Sequence, residues 1–189
     1  MNAAFLRVDP NEHRRTRPKL SDGLDKAKAL ALRVLTSRAH SEAQLTDRLA
    51  RSGFGEQAEE VLGWLRRLGY VDDLAYAQEQ ARVLLAPGRF GPAMAERRLQ
   101  SAGIGPAMAR AAVSAAAERA AAIAKEVAPP GGAPEPAELT LCRAALTSKL
   151  GGATLSALDE RARARLARFL LGRGYSAGAA ACVTGFREG

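Results

Sequence analysis

The sequence predicts an all-α protein built of three tandem three-helix repeats that form an elongated, curved array. Two observations lead there. From Lys26 onward, apolar residues recur at the i, i+3, i+4, i+7 spacing of a helix face, and no segment alternates as a strand would. The string Leu-x-x-x-Gly-hydrophobic also recurs, at Leu49/Gly53/Phe54, Leu65/Gly69/Tyr70, Leu99/Gly103/Ile104 and Leu170/Gly174/Tyr175. Each reads as a Schellman helix stop, with glycine in the left-handed conformation and the next apolar residue folded back onto the leucine. Superposing Gly53, Gly103 and Gly174 brings Leu45, Ala95 and Leu166 into register, then Leu49, Leu99 and Leu170, then Val61, Ala111 and Cys182. One helical trio is thus repeated at a period of about fifty residues.

The elements follow in order. Residues 1–24 mix Pro10, Pro18 and Gly23 with Arg14, Arg15, Arg17 and Lys19 and show no helical period, which predicts a flexible basic arm. Repeat 1 spans 25–70. Its first helix carries Ala27, Leu30, Ala31, Val34 and Leu35 on one face; Ser41 and Gln44 form a capping box that starts the second, burying Leu45 and Leu49. The third, around Glu56 to Leu68, places Ala58, Val61, Leu62 and Leu65 together. Repeat 2 spans 71–127, opening with Asp72 or Asp73 as the cap of a helix that carries Leu74, Ala77, Ala81 and Leu84. Pro92 after Gly91 and Pro106 after Gly105 suit the first turns of its other two helices. A Pro/Gly linker occupies 128–137, and repeat 3 fills 138–189, interrupted at Gly151-Gly152 before an arginine-rich helix.

Composition narrows the function. A net charge of +8 and a pI near 10.2 call for an acidic partner, nucleic acid foremost. No run of apolar residues suits a membrane span or a signal peptide, so a cytoplasmic protein without membrane contact is expected. Two cysteines and two histidines assemble neither a disulfide framework nor a zinc site. Phosphate loops, His-Glu-x-x-His and nucleophile elbows are missing, which predicts no enzyme, no catalytic residue, no metal and no cofactor. His40 reads as a loop residue, Cys142 and Cys182 as packed thiols, and Asp72-Asp73 as a cap with its neighbour. Trp64 and Tyr76 read as packing residues rather than base-stacking platforms.

Arginine is the distinctive residue. Arg48 and Arg98 fall at equivalent positions of repeats 1 and 2, and Arg161, Arg165 and Arg168 run along one edge of the eighth helix. Such groups either line one surface of the array or form the solvated rim of amphipathic helices. One exposed ion pair is worth only about 0–1 kcal/mol, so binding would come from a row of them and would fall steeply with salt.

Four segments carry a family resemblance: Arg38-Ala39-His40-Ser41-Glu42-Ala43-Gln44-Leu45; Gly69-Tyr70-Val71-Asp72-Asp73-Leu74-Ala75-Tyr76-Ala77; Gly91-Pro92 with Leu99 and Gly103-Ile104; and Arg168-Phe169-Leu170-Leu171-Gly172-Arg173-Gly174-Tyr175. Together, across residues 27 to 186, they resemble RecX, the family of bacterial regulators of the recombinase RecA. Arg38 matches the family's arginine before the capping serine, Asp73 and Ala77 its Asp-x-x-aromatic-Ala stretch, and Arg173 the arginine of its arginine-glycine-aromatic ending. The chain departs from the pattern at Gln44, where glutamate is frequent, at Ala102, where a basic residue commonly precedes Gly-Ile, and in its proline-rich linker.

The resemblance implies a non-enzymatic, monomeric protein that binds the RecA filament, and DNA directly or within it, and restrains ATPase, strand-exchange and co-protease activities. DNA repair, recombination and the SOS response are the implied setting. Arg38, Arg48, Arg82, Arg89, Arg98, Arg168 and Arg173 are the expected partner or DNA contacts. The alternative is a helical repeat that binds single- or double-stranded DNA, or RNA, with no recombinase involved.

Overall fold

The computed structural model describes residues 19–87, 89–127 and 135–186. It is all helical there, with a helical-repeat architecture and no strand among the described residues. The helices are α1 (Lys19–Ser37), α2 (Glu42–Arg51), α3 (Ala58–Arg67), α4 (Asp73–Leu84), α5 (Pro92–Ser101), α6 (Pro106–Val127), α7 (Ala137–Leu150), α8 (Glu160–Gly172) and α9 (Ala177–Thr184). They gather into two compact units. The first takes the chain up to Ala39 together with Leu45–Tyr70; the second takes His40–Gln44 together with the chain from Val71 on. The described residues of 71–127 and 138–186 fall in the same unit. Most of the linker expected at 128–137 and the basic arm up to residue 18 lie outside the described residues.

Helix α1 corrects the end of that arm. It starts at Lys19, inside the segment expected to be irregular, and runs through Gly23. A glycine inside a helix costs about 1 kcal/mol relative to alanine; the Lys26 ammonium, 2.8 Å from the Asp22 carboxylate one turn earlier, supports the same turn.

Local caps account for the starts of α2, α4 and α8. The Ser41 hydroxyl accepts from the Gln44 N–H at 3.2 Å, and Gln44 Oε1 accepts from the Ser41 N–H at 3.3 Å, the reciprocal pair of a capping box. Asp72 caps α4, accepting from the N–H groups of Leu74 and Ala75 at 2.8 and 3.1 Å. Its neighbour Asp73 accepts from the Glu42 N–H at 2.9 Å, so each carboxylate of the pair caps a different helix. Asp159 caps α8 through the Ala162 N–H at 2.7 Å.

All four glycine stops form. Gly53, Gly69, Gly103 and Gly174 have φ of +83°, +71°, +87° and +89°. In each, the N–H of the following residue reaches back to the leucine carbonyl: Phe54 to Leu49 at 2.9 Å, Tyr70 to Leu65 at 3.0 Å, Ile104 to Leu99 at 3.1 Å and Tyr175 to Leu170 at 3.2 Å. The four leucines are buried; Tyr70, however, is 57% exposed, so its ring does not fold back as expected.

Register beyond the stops departs from the simple superposition. Val61 is buried, but Ala111 and Cys182, its expected equivalents, are exposed. A 3-10 turn at Gly55–Gln57 delays α3, whereas α6 and α9 begin directly at Pro106 and Ala177. The inserted turn rotates the third helix of the first repeat relative to its counterparts, where Ala109, Ala112 and Val113 of α6 match Ala180, Val183 and Thr184 of α9 as buried positions. Cys182 is therefore not a packed thiol, while Cys142 is fully buried. Leu74, at the start of α4, is likewise exposed.

In the first unit α1 packs on α3. In the second, α4 and α5 pack on α6, α6 on α7, and α7 and α8 on α9. Ala77 and Ala81 of α4 and Ala109, Ala112 and Ala117 of α6 belong to its core, and such small side chains let helix axes approach closely. Burial pushes the Cys142 thiol up to about 12 from 9.0, with the Glu138 carboxylate adding to the shift and Arg143 opposing it. Burial likewise pushes the Tyr175 hydroxyl up to about 12 from 10.0. Both groups stay protonated in the fold and ionise earlier when unfolded, so stability is present below their unfolded pKa values and lost as pH rises through the folded ones. Urea midpoints of the second unit should fall between pH 9 and 12, and Cys142→Ala should shrink the part of that fall that begins near pH 9.

Candidate functional site

Helix α5 is gripped at both ends by glycine stops or their targets. At its start, the Gly91 N–H donates to the Arg173 carbonyl at 2.8 Å and the Ala93 N–H to the Gly174 carbonyl at 3.2 Å. These are orphan donors of a helix N-terminus whose cap, Gly91, has no side chain. Peptide groups approach here with no room for a β-carbon: one on Gly91 would lie 2.6 Å from the Gly174 carbonyl, and one on Gly174 would lie 2.5 Å from the Met94 nitrogen. The Tyr175 hydroxyl spans the joint, 3.4 Å from the Phe90 carbonyl and 3.3 Å from that of Leu141. At the other end of α5, Gly103 meets Ala43, and the Ser41 hydroxyl donates to the Ala102 carbonyl. The stop of one middle helix thus seats on the start of the preceding one, twice.

Around the α5–α8 joint, cations rest on aromatic faces. The Arg98 guanidinium lies 4.0 Å from the centre of the Phe90 ring. Phe169 carries two cations, Arg173 at 4.6 Å and Lys149 at 5.3 Å. Arg173 Nη1 also donates to the Arg89 carbonyl at 2.5 Å, which ties the end of α8 to the loop before α5. Each cation–π contact at an exposed site contributes about 0.5–1 kcal/mol. That is enough to bias long side chains, which otherwise lose about 1.5–2 kcal/mol of rotamer freedom on ordering. Arg89, Arg98 and Lys149 form no ion pair among the described residues. Arg98 and Lys149 are thereby oriented positive charges, suited to carboxylate or phosphate oxygens.

Of the expected contacts, the structure places Arg89, Arg98 and Arg173 at this joint. Arg38 and Arg48 are exposed in the first unit. Arg82 is exposed but engaged: its guanidinium grips Glu79 at 2.9 and 2.6 Å, which holds that carboxyl below its usual range. Arg168 is exposed on α8, as are Arg161 and Arg165. Lys149, Phe90 and Phe169 were missed. The four-residue spacing of Phe169 and Arg173 was a readable signal; Phe90 meets Arg98 only because the loop before α5 folds the ring against the helix. Trp64 and Tyr76 are half-buried, the first under the Lys28 ammonium at 5.3 Å. Among the described residues no group of three or more His, Cys, Asp or Glu side chains could hold a metal ion, and no helix is long and apolar enough to cross a membrane.

Comparison with known proteins agrees with this architecture. Residues 27–65 match the family model described as RecX, first three-helix domain. The regulatory protein RecX of Syntrophotalea carbinolica is 47% identical over 87 residues, 44% of this chain and 56% of that protein. The regulatory protein RecX of Thermus thermophilus is 42% identical over 79 residues, 41% of this chain and 54% of that one. The chain spans about half the length of these curated relatives. A crystal structure of regulatory protein RecX superposes with a TM-score of 0.65 at 19% identity, covering 97% of this chain and 83% of the other. RecX from Lactobacillus salivarius gives 0.59 at 16% identity, covering 86% and 95%. At such identities the superpositions show the fold.

Proposed function

We propose that the chain is a RecX-like regulatory protein that binds the RecA nucleoprotein filament through its basic surface and restrains the filament's ATPase, strand-exchange and co-protease activities. It performs no chemistry of its own. One observation carries the reading: Arg98, Arg173 and Lys149 are held on the faces of Phe90 and Phe169 at a helix joint, and among the described residues neither Arg98 nor Lys149 is paired with an acid. Pre-oriented cations reduce the ordering cost of meeting an acidic partner. A ligand that prefers one filament state shifts the equilibrium by its differential affinity alone, and inhibition follows.

The test mixes the full chain with RecA, ATP and single-stranded DNA and follows ATP hydrolysis as protein and salt are varied. Hydrolysis is expected to fall as the protein is added, and the effect to weaken as salt rises. Unchanged ATPase and strand exchange at saturating protein would refute the proposal. Tight, strongly salt-dependent binding to bare DNA without retention on RecA filaments would instead favour a helical repeat that binds nucleic acid directly.

A further inference from the structure

Beside the ring-held Arg98 lies a concave pocket of about 210 Å³ in the second unit. Leu84 and Leu99 supply apolar wall, and Gln44, Tyr76, Gln80 and Arg98 supply polar groups. The donors are largely uncommitted. Gln44 Oε1 already accepts from the Ser41 N–H at 3.3 Å and the Tyr76 hydroxyl at 3.4 Å, which leaves the Gln44 NH2 group unused. Among the described residues, the half-buried Gln80 amide makes no hydrogen bond and Arg98 makes no ion pair. One full positive charge thus stands beside two neutral amides over an apolar wall.

We infer that this pocket binds a single carboxylate side chain of an acidic peptide segment, with Arg98 as the charge partner and Gln80 and Gln44 as flanking donors. Charge decides between partners. A nucleic-acid strand presents a phosphate about every 3.4 Å along its axis and needs a row of cations to follow it. The pocket offers one cation, flanked by amides that suit a carboxylate and its neighbouring peptide groups. Burying an isolated charge is unfavourable unless it is paired and hydrogen-bonded, and these groups supply both for one carboxylate. That the carboxylate belongs to a protein rests on the regulatory reading above; the pocket's preference for a carboxylate does not.

The experiment titrates the full chain with N-acetyl-glutamate N-methylamide, with its glutamine analogue and with dimethyl phosphate, following the side-chain amide signals of Gln44 and Gln80 and the Arg98 Nε–H by NMR. The glutamate compound should shift all three signals saturably; the glutamine analogue should not, and dimethyl phosphate should move Arg98 alone. Gln80→Glu, a replacement of like size at a half-exposed position, should abolish the glutamate response and weaken retention on RecA filaments about tenfold, because like charges would then meet. Unchanged signals with glutamate, or an equal response to phosphate at all three groups, would overturn the inference. A saturable glutamate response in a protein that ignores RecA would uphold the pocket and refute the regulatory reading instead.

Discussion

Gly174→Ala is expected to destabilise the second unit by about 2–5 kcal/mol, combining about 1–2 kcal/mol for forcing a β-carbon into the left-handed region with about 1–3 kcal/mol for overpacking. Both terms operate because Gly174 has φ +89° and its β-carbon would meet Met94 backbone at 2.5 Å. Gly53→Ala supplies the comparison. Its φ of +83° is nearly the same, yet nothing lies within 4 Å of the added atom, so only the conformational cost of about 1–2 kcal/mol should appear. Urea unfolding followed by far-UV circular dichroism covers both units, and fluorescence of Trp64, the single tryptophan, reports the first. Equal losses from the two substitutions would mean that the joint contributes nothing to stability beyond the helix stop itself.

Reversing Arg98 and Lys149 together to glutamate should weaken retention on RecA filaments by about two orders of magnitude at low salt, since like-charge juxtaposition costs several kcal/mol. Helicity and melting should barely change, because both side chains are exposed and their charged ends rest on ring faces. The salt dependence should flatten as well, with fewer charges left to screen. Phe90→Leu and Phe169→Leu separate charge from placement: they keep every cation and remove its platform, and should weaken retention only a few-fold, by the roughly 0.5–1 kcal/mol of each contact. Retention assays at several salt concentrations decide. Undiminished retention of the double reversal would place the contact surface elsewhere on the chain.

Much of the fold was legible because its determinants are local. The Ser41–Gln44 box, the Asp72 cap and the four glycine stops each depend on residues within a turn of one another, and all formed. The lost register of Ala111 and Cys182 has a cause of the opposite kind. Nothing in Phe54-Gly55-Glu56-Gln57 distinguishes a 3-10 turn from a helix start, yet that turn decides which face of α3 is buried. The candidate site was legible only in part for the same reason. Arginines could be counted and aligned, but which of them stand on rings depends on the crossing of two glycines from distant segments. Arg82 shows the limit from the other side: a carboxylate three residues away already holds it.

The Gly91–Gly174 joint also bears on how the second unit reaches its native state. Its contacts link residues 84 positions apart, as between Arg173 and Arg89, and they consist mainly of peptide groups that offer little until they meet. Closing so long a loop carries an entropic cost that grows as the logarithm of its length and must be met before any bond rewards it. Helix pairs close in the chain, such as α5 with α6 and α8 with α9, are therefore expected to assemble first. The joint is expected to lock last, so that until it closes the helices can be formed while the aromatic rings and the cations that rest on them are not yet in line.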